Sequence, residues 1–324
     1  MSISYHRLFG SAVVAAVALC SVHVQAQQYP SRPITIVVPF GAGSGTDQQA
    51  RSVAQAMSLE FKVPVIVDNK AGASGFIASQ YVAKAAPDGY TILLTTNTTH
   101  AANEHLFKKI PYDPVKDFTP VTLLSKGYMM LLVNSSSPIK SLSDLILAAK
   151  KSPGKLNFGS GSSSSRVASE LLKQMAGIDV VHVPYKSNPL AITDLLGGQV
   201  DFMFADTATA LPQFNGGKMR ALAVTGSKRL PGAMGVPTVD ESGVKGYEMS
   251  YWIAAYLPPN APAPVTKKLN EVLTKIYRTP ALMATQEITG SETVTSTPEG
   301  LAQFQAEESL KWSRVIKAAG IEPE

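Results

Sequence analysis

Cysteine is nearly absent from the 324 residues: Cys20 stands alone, so no disulfide can form within the chain. Charge is scarce as well, at 16% of residues against 45% hydrophobic, a balance that excludes intrinsic disorder. Lysine and arginine number 29, aspartate and glutamate 24, and the net charge of +5 is dispersed. No block of like charge is present to hold nucleic acid. After residue 26 there is no second long apolar run, which excludes a polytopic membrane protein. No repeat with a period of about 20–50 residues appears, so solenoids are excluded. At roughly 150 residues per domain, the length predicts two domains.

The first segment reads as an address. A short polar stretch ending in Arg7 precedes the apolar run LFGSAVVAAVALCSV, and Val24 and Ala26 supply small residues for a peptidase. The pattern predicts a signal peptide over 1–26, cleaved after Ala26, and hence a periplasmic protein. A retained anchor helix competes, but the run is short for a roughly 30 Å hydrocarbon core. Lipidation at Cys20 competes too, but Leu19 stands where a small residue is needed. Cleavage removes Cys20, and with it any thiolate metal site or cysteine nucleophile.

Beyond it, short apolar runs alternate with helical spacings. Ile34 to Val38 predicts a strand buried on both faces, followed by a glycine-rich turn and a helix with Ala50, Val53, Ala54 and Met57 inward. VPVIVDN and YTILLTTN repeat the strand, and FIASQYVAKA the helix. KIPYDPVKDFTP reads as a connector before the strand YMMLLVN (128–134), and Ser143 with Asp144 as the cap of the next helix. A second alternation then runs from KLNFGS to KMRALAVT, and the chain returns through GYEMSYWIAAYLPP to two helices. The expected fold is α/β: two domains, each a largely parallel sheet flanked by helices, joined by a two-strand hinge. Domain 1 would comprise 27–130 and 251–324, with domain 2 inserted as 131–250.

Parallel α/β sheets bind ligands at the carboxyl ends of their strands, where this chain concentrates glycine and hydroxyls. GAGSGTD (41–47) and GSGSSSSR (159–166) each place free N–H groups at a helix start, which favours an anion. KAGASG (70–75) and TTNTTH (95–100) add donors, among them Thr95 and Asn97. Position 46 is threonine where a dinucleotide fingerprint needs glycine, and no Gly-Lys-Ser/Thr follows for a P-loop. A carboxylate is the economical occupant, although each such loop taken singly can be a mere turn or linker.

Arg166 opposes its helix dipole, so it is either solvated or faces an anion. Asp206 either accepts from a ligand or caps the following helix; Asp47 reads as a helix-start charge. Tyr185 and Phe40 either stack on a ligand or cover the hinge. His100 and His105 in HAANEH are five apart, which splits them across a helix, and His182 lies mid-strand; no metal or cofactor is expected. No G-x-S-x-G elbow exists, and no histidine is locally nominated as a base. The composition is that of a binding site, not an enzyme.

These blocks resemble a known family over essentially the whole chain beyond residue 26. YPSRPITIVVPFGAGSGTDQQAR (29–51), NKAGASGFIAS (69–79), APDGYTILL (86–94), PYDPVKDFTPV (111–121), VHVPYKS (181–187), DLLGGQVDFMF (194–204) and EESLKWSRVIKAAG (307–320) carry the resemblance. They are similar to the periplasmic substrate-binding proteins of tripartite tricarboxylate transporters, the TctC/Bug family. The resemblance implies a flytrap fold that closes on a small organic acid and docks on a two-subunit integral membrane permease. It implies one carboxylate gripped by Phe40, Gly41, Ala42, Gly43, Ser44, Gly45 and Thr46, with Ala73, Ser74 and Gly75, partly through water. The rest of the ligand would be selected by Ser160, Ser162, Ser163, Ser164, Ser165, Arg166, Tyr185, Asn188 and Asp206.

Two departures fall in those selecting loops. SSSSRVA stands where the family commonly has Gly-Ser then His-Leu, and YKSNP where it has a Tyr-Lys-Gly-Gly turn. Arg166 and the serine run point to a second carboxylate, hence a dicarboxylate, an aromatic one included. A monomer is expected. A sensor module presenting the bound acid to a membrane receptor, or an exported enzyme using the same cleft, are the competing functions.

Overall fold

The computed structural model describes residues 29–324; the expected signal peptide and its cleavage point lie outside them. Strand β1 (Ile34–Val38) leads through Ser44, whose hydroxyl accepts from Asp47 N–H, into helix α1 (Gly45–Phe61), with Ala50, Val53, Ala54 and Met57 buried as their spacing requires. Strand β2 (Val65–Asn69), a tight turn at Ala73–Gly75, helix α2 (Phe76–Ala83) and strand β3 (Thr91–Thr96) follow. A wide helical turn at Thr98–Ala102 runs into the short α3 (Asn103–Leu106), and β4 (Thr119–Gly127) is joined through Tyr128 alone to β5 (Met129–Asn134).

Helix α4 (Leu142–Lys151) is capped by Ser141, not by Ser143 and Asp144: Ser141 is extended and its hydroxyl accepts from Asp144 N–H. Then come β6 (Asn157–Ser160), α5 (Ser163–Ala176), β7 (Val181–Pro184), α6 (Asn188–Leu196), β8 (Phe202–Asp206), α7 (Thr207–Asn215) and β9 (Met219–Val224). The chain returns through β10 (Tyr251–Leu257), α8 (Ala263–Tyr277), α9 (Pro280–Thr289), β11 (Glu292–Thr293) and α10 (Pro298–Ala318).

Two sheets result, in the orders β11-β4-β10-β3-β1-β2 and β7-β6-β8-β5-β9. In each, three consecutive strands are parallel: β1 between β2 and β3, and β6 between β7 and β8. The strands beside the crossings reverse direction. β10 runs antiparallel to β3 and β4, and β5 antiparallel to β8 and β9. The central strand β1 is buried nearly throughout, whereas edge strand β2 leaves Ile66 54% exposed.

The connector KIPYDPVKDFTP (109–120) reaches only the first two residues of strand β4, and the rest of that strand carries no expectation. Its apolar stretch is short and broken by Pro120 and Lys126, yet β10 pairs along its whole length. Helix α9 carried no expectation either: of its ten residues only Gln286 is buried, so it shows no apolar stripe.

The crossings between sheets lie side by side. Thr225 N–H donates to Met129 O (2.9 Å), Met129 N–H to the Thr225 hydroxyl (2.9 Å), and Met249 N–H to Thr225 O (3.0 Å). Gly127 fits there because it has no side chain: a Cβ would lie 2.7 Å from the buried Tyr251 ring. Toward the other end of β10, His100 is fully buried, stacked on Tyr256 with ring centroids 4.0 Å apart and edge-on to Phe118. Burial pushes its pKa down to about 3, so the folded protein holds it neutral.

Gly127→Ala is expected to lower unfolding stability by about 1–3 kcal/mol, read from denaturant midpoints, since the aromatic contact must shift. The second expectation concerns pH. Unfolded His100 takes up a proton below about 6.5 and folded His100 only near 3, so its contribution is complete above 6.5 and declines as pH falls through that window. The slope of unfolding free energy against pH between 4 and 6.5 should therefore drop by about 1.4 kcal/mol per unit in His100→Phe. An unchanged slope would contradict a neutral buried imidazole.

Candidate functional site

Four helices begin at the carboxyl ends of four parallel strands and point their N-termini at one cleft between the sheets. They are α1, α5, α6 and α7, with Ser44, Ser162, Ser187 and Asp206 at their N-cap positions. Each helix start carries about half a positive charge from its aligned peptide dipoles. The N–H groups of Gly45 and Thr46 on α1, and of Ser163 and Ser164 on α5, meet no acceptor among the described residues. Phe40, Ser44, Gly45 and Thr46 enclose a compartment of about 30 Å³ with Gly161, Ser162, Ser164, Asn188 and Asp206. It holds about two waters, or one end of a small acid.

Some donors of the first loop are already taken. Asp47 accepts from Gly43 N–H (2.9 Å), Arg51 Nε (3.0 Å) and Asn69 Nδ2 (2.9 Å), so Gly43 braces its own helix. Burial pushes the Asp47 carboxyl up, but the hydrogen bonds from Arg51, Gly43 and Asn69 prevail and hold it below the usual carboxylate range. Asp206 caps α7, accepting from Thr209 N–H (3.0 Å) and the Thr209 hydroxyl (2.6 Å), and also accepts from Asn188 Nδ2 (3.0 Å).

Gly41 and Gly45 serve lobe contact. A Cβ at Gly41 would lie 2.9 Å from the Ser187 hydroxyl, and one at Gly45 would overlap the Asp206 carboxylate. The serine run bridges in the same way. Ser163 donates to Asn103 Oδ1 (2.9 Å) and Ser164 accepts from Asn97 Nδ2 (2.8 Å), both across the cleft. Ser162 caps α5, and Ser165 donates to Phe204 O (2.6 Å) within the second lobe.

A larger cavity of about 170 Å³ adjoins the small compartment, sharing Phe40, Gly161 and Ser162 with it. Ser74, Gly75, Ser160, Ser163, Arg166, Tyr185 and the adjoining Lys186 line it, as do Phe107, His182 and Glu324, which the sequence did not nominate. Its size is near that of the ~150 Å³ cavity that admits a benzene ring. The Ser160 hydroxyl lies 2.6 Å from His182 Nε2, with the imidazole stacked on Phe158 at 5.0 Å. Burial, aided by the charge of Arg166, pushes His182 down to about 4, so it is neutral at pH 7. Tyr185 donates to Asp194 (2.7 Å), and burial with that carboxylate pushes it up to about 12. Arg166 is paired with Glu324 at 2.6 Å.

Of the nominated residues, Gly41, Ala42, Gly43, Ala73, Thr95, Asn97 and Ser165 reach neither compartment. Thr95 is fully buried and bonded to Thr99 at 2.6 Å; Asn97 braces the lobes. Among the described residues no three histidine, cysteine or carboxylate side chains group as a metal set. His182 was missed because its partner, Ser160, lies 22 residues away on the neighbouring strand, and Glu324 because no motif surrounds it.

Two α/β lobes of mixed sheets, hinged side by side and closed over helix N-termini, define the periplasmic-binding-protein type of solute receptor. The chain belongs to the tripartite tricarboxylate transporter family of receptors, TctC, whose family model matches residues 49–321. Rpa4515 of R. palustris, solved with adipate, is 34% identical, with a TM-score of 0.88 over 91% of this chain and 100% of that one. The periplasmic binding protein BugD is 34% identical, with a TM-score of 0.87 and the same coverage. MatC of Rhodopseudomonas palustris, with bound malate, is 32% identical at a TM-score of 0.84, over 89% of this chain and 100% of that one. The family is one of transporter receptors, and BugD is a periplasmic binding protein.

Replacing both Ser163 and Ser164 by alanine removes two bonds across the cleft and leaves Asn97 Nδ2 without its partner. The closed form should lose about 1–3 kcal/mol relative to the open one. Small-angle scattering of the unliganded protein should show a larger radius of gyration; an unchanged radius would mean these bonds do not hold the lobes together.

Proposed function

We propose that this protein captures a small carboxylate, a dicarboxylate in particular, and delivers it to a two-subunit integral membrane permease. The observation that carries the reading is the convergence of four helix N-termini on one enclosed cleft, with unpaired N–H groups on α1 and α5. Such donors in a water-poor site hold an anion without needing a free lysine or arginine. One carboxylate would sit in the small compartment against Ser44, Gly45 and Thr46 on one side and Ser162 and Ser164 on the other. The body of the acid would extend into the larger cavity, past Phe40 and Tyr185, toward Arg166. The adipate and malate of the relatives support a diacid of four to six carbons. Export by a signal peptide cleaved after Ala26, and lobes bounded near residues 130 and 250, belong to the same reading. The family to which the chain belongs supports the permease as partner over a sensor.

The Ser160–His182 pair favours a second reading, an exported hydrolase. A serine nucleophile needs its base oriented by a third group, and no carboxylate is hydrogen-bonded to the His182 ring among the described residues. We therefore assign the pair to shaping the cavity wall.

The test is thermal unfolding of the purified protein against adipate, malate, hexanoate, benzoate and phthalate. Ligand at about 100 times its Kd should add roughly 2.7 kcal/mol, a clear rise in midpoint. A panel without any shift, on protein shown by mass spectrometry to be free of ligand, would remove the carboxylate reading. Turnover of a nitrophenyl ester that vanishes in Ser160→Ala would favour the hydrolase.

A further inference from the structure

Glu324 brings a carboxylate into the cleft by a route unrelated to the loops at the strand ends. Past α10 the chain turns at Gly320, in the left-handed region at φ +67°, and runs back beside the segment after α3. Glu324 N–H donates to Leu106 O (3.0 Å), and Lys108 N–H donates to Glu324 O (2.7 Å). Those two bonds fix its backbone on the first lobe. Its side chain crosses to the second, where Oε1 lies 2.6 Å from Nη2 of Arg166 in the first turn of α5.

Arg166 needs such a partner. A cation at a helix start opposes the dipole, and this side chain is only 16% exposed, so an unpaired charge there is costly. Among the described residues Glu324 is its only ion-pair partner. The guanidinium offers a carboxylate two parallel donors, Nε and Nη, and only one is filled: Nε is buried without an acceptor. Arg166 and Glu324 both line the 170 Å³ cavity; among the described residues that line it, Glu324 has the only carboxylate side chain and Lys186 is the only other cation. The expected clamp for a second ligand carboxylate is thus already occupied, by one oxygen of the protein's own.

We propose that Glu324 is a tethered competitor, holding Arg166 in the empty cleft until the distal carboxylate of a diacid displaces it. The inference rests on the carboxylate-binding reading above and makes Glu324 a residue that determines specificity. A monoacid leaves the Glu324–Arg166 pair intact. A diacid exchanges one carboxylate for another on the same guanidinium, and gains only the difference between a two-pronged contact and a one-pronged one.

The experiment compares adipate with hexanoate, which has the same six carbons and one carboxylate fewer, by calorimetry on the wild type and on Glu324→Gln. The ratio of adipate to hexanoate affinity should rise about tenfold in the variant, with Arg166→Gln added to it abolishing the gain. A ratio that is unchanged or lower in Glu324→Gln overturns the proposal. Because the ratio is taken within one protein, any general loosening of the lobes cancels. Should a different acid of the panel be the one that binds, that acid and its one-carboxylate analogue replace this pair and the same outcomes decide. If no acid binds either protein, the carboxylate reading itself falls, and this inference with it.

Discussion

The cleft is governed by one electrostatic constraint: four helix starts face each other with too few acceptors between them. Parallel strands force this arrangement, since each delivers the chain to the same edge before a helix carries it back. The protein answers part of the excess with its own carboxylates. Asp47 takes the N–H of Gly43, Asp206 takes the start of α7, and Glu324 takes the guanidinium of Arg166. Among the described residues, N–H groups without an acceptor remain at the first turns of α1 and α5, on opposite walls. An anion bound between those walls, as proposed, would be held by both lobes at once, making recognition and closure one event rather than two.

Closure also explains residue types that looked like ligand chemistry. A run of serines between a strand and a helix suggests hydroxyls waiting for a solute. In the folded chain those at 163 and 164 reach across to Asn103 and Asn97. The glycines at 41 and 45 likewise admit the opposite lobe as much as any ligand. Small polar residues suit a surface that must be wet when open and paired when shut, because water replaces each lost bond at low cost.

What the sequence made legible follows from range. The strands β1, β3 and β8, the helix α1 and the glycine-hydroxyl loops depend on neighbours within a few residues, and their patterns could be read directly. Strand β4 depends on β10, more than a hundred residues later, and its own apolar stretch is too short to stand out. The partner of Arg166 lies 158 positions away on the other lobe, so the sequence could pose the question of its anion but not answer it. Asp206 offered capping or ligand contact; its bonds to Thr209 establish the cap. The same strand-end rule that located the cleft could not say which of its donors would still be free.

The two crossings between the sheets are not independent cables. Thr225 and Met129 exchange bonds on both sides, and Met249 binds the same threonine, so the segments are laced into a single ribbon. A laced ribbon bends readily across its width and resists twist and shear. The lobes should therefore part like a book opening on its spine, without sliding past one another. Every solute would then meet the two walls in the same alignment, and the bound form would vary from one solute to the next in one quantity, the angle of opening.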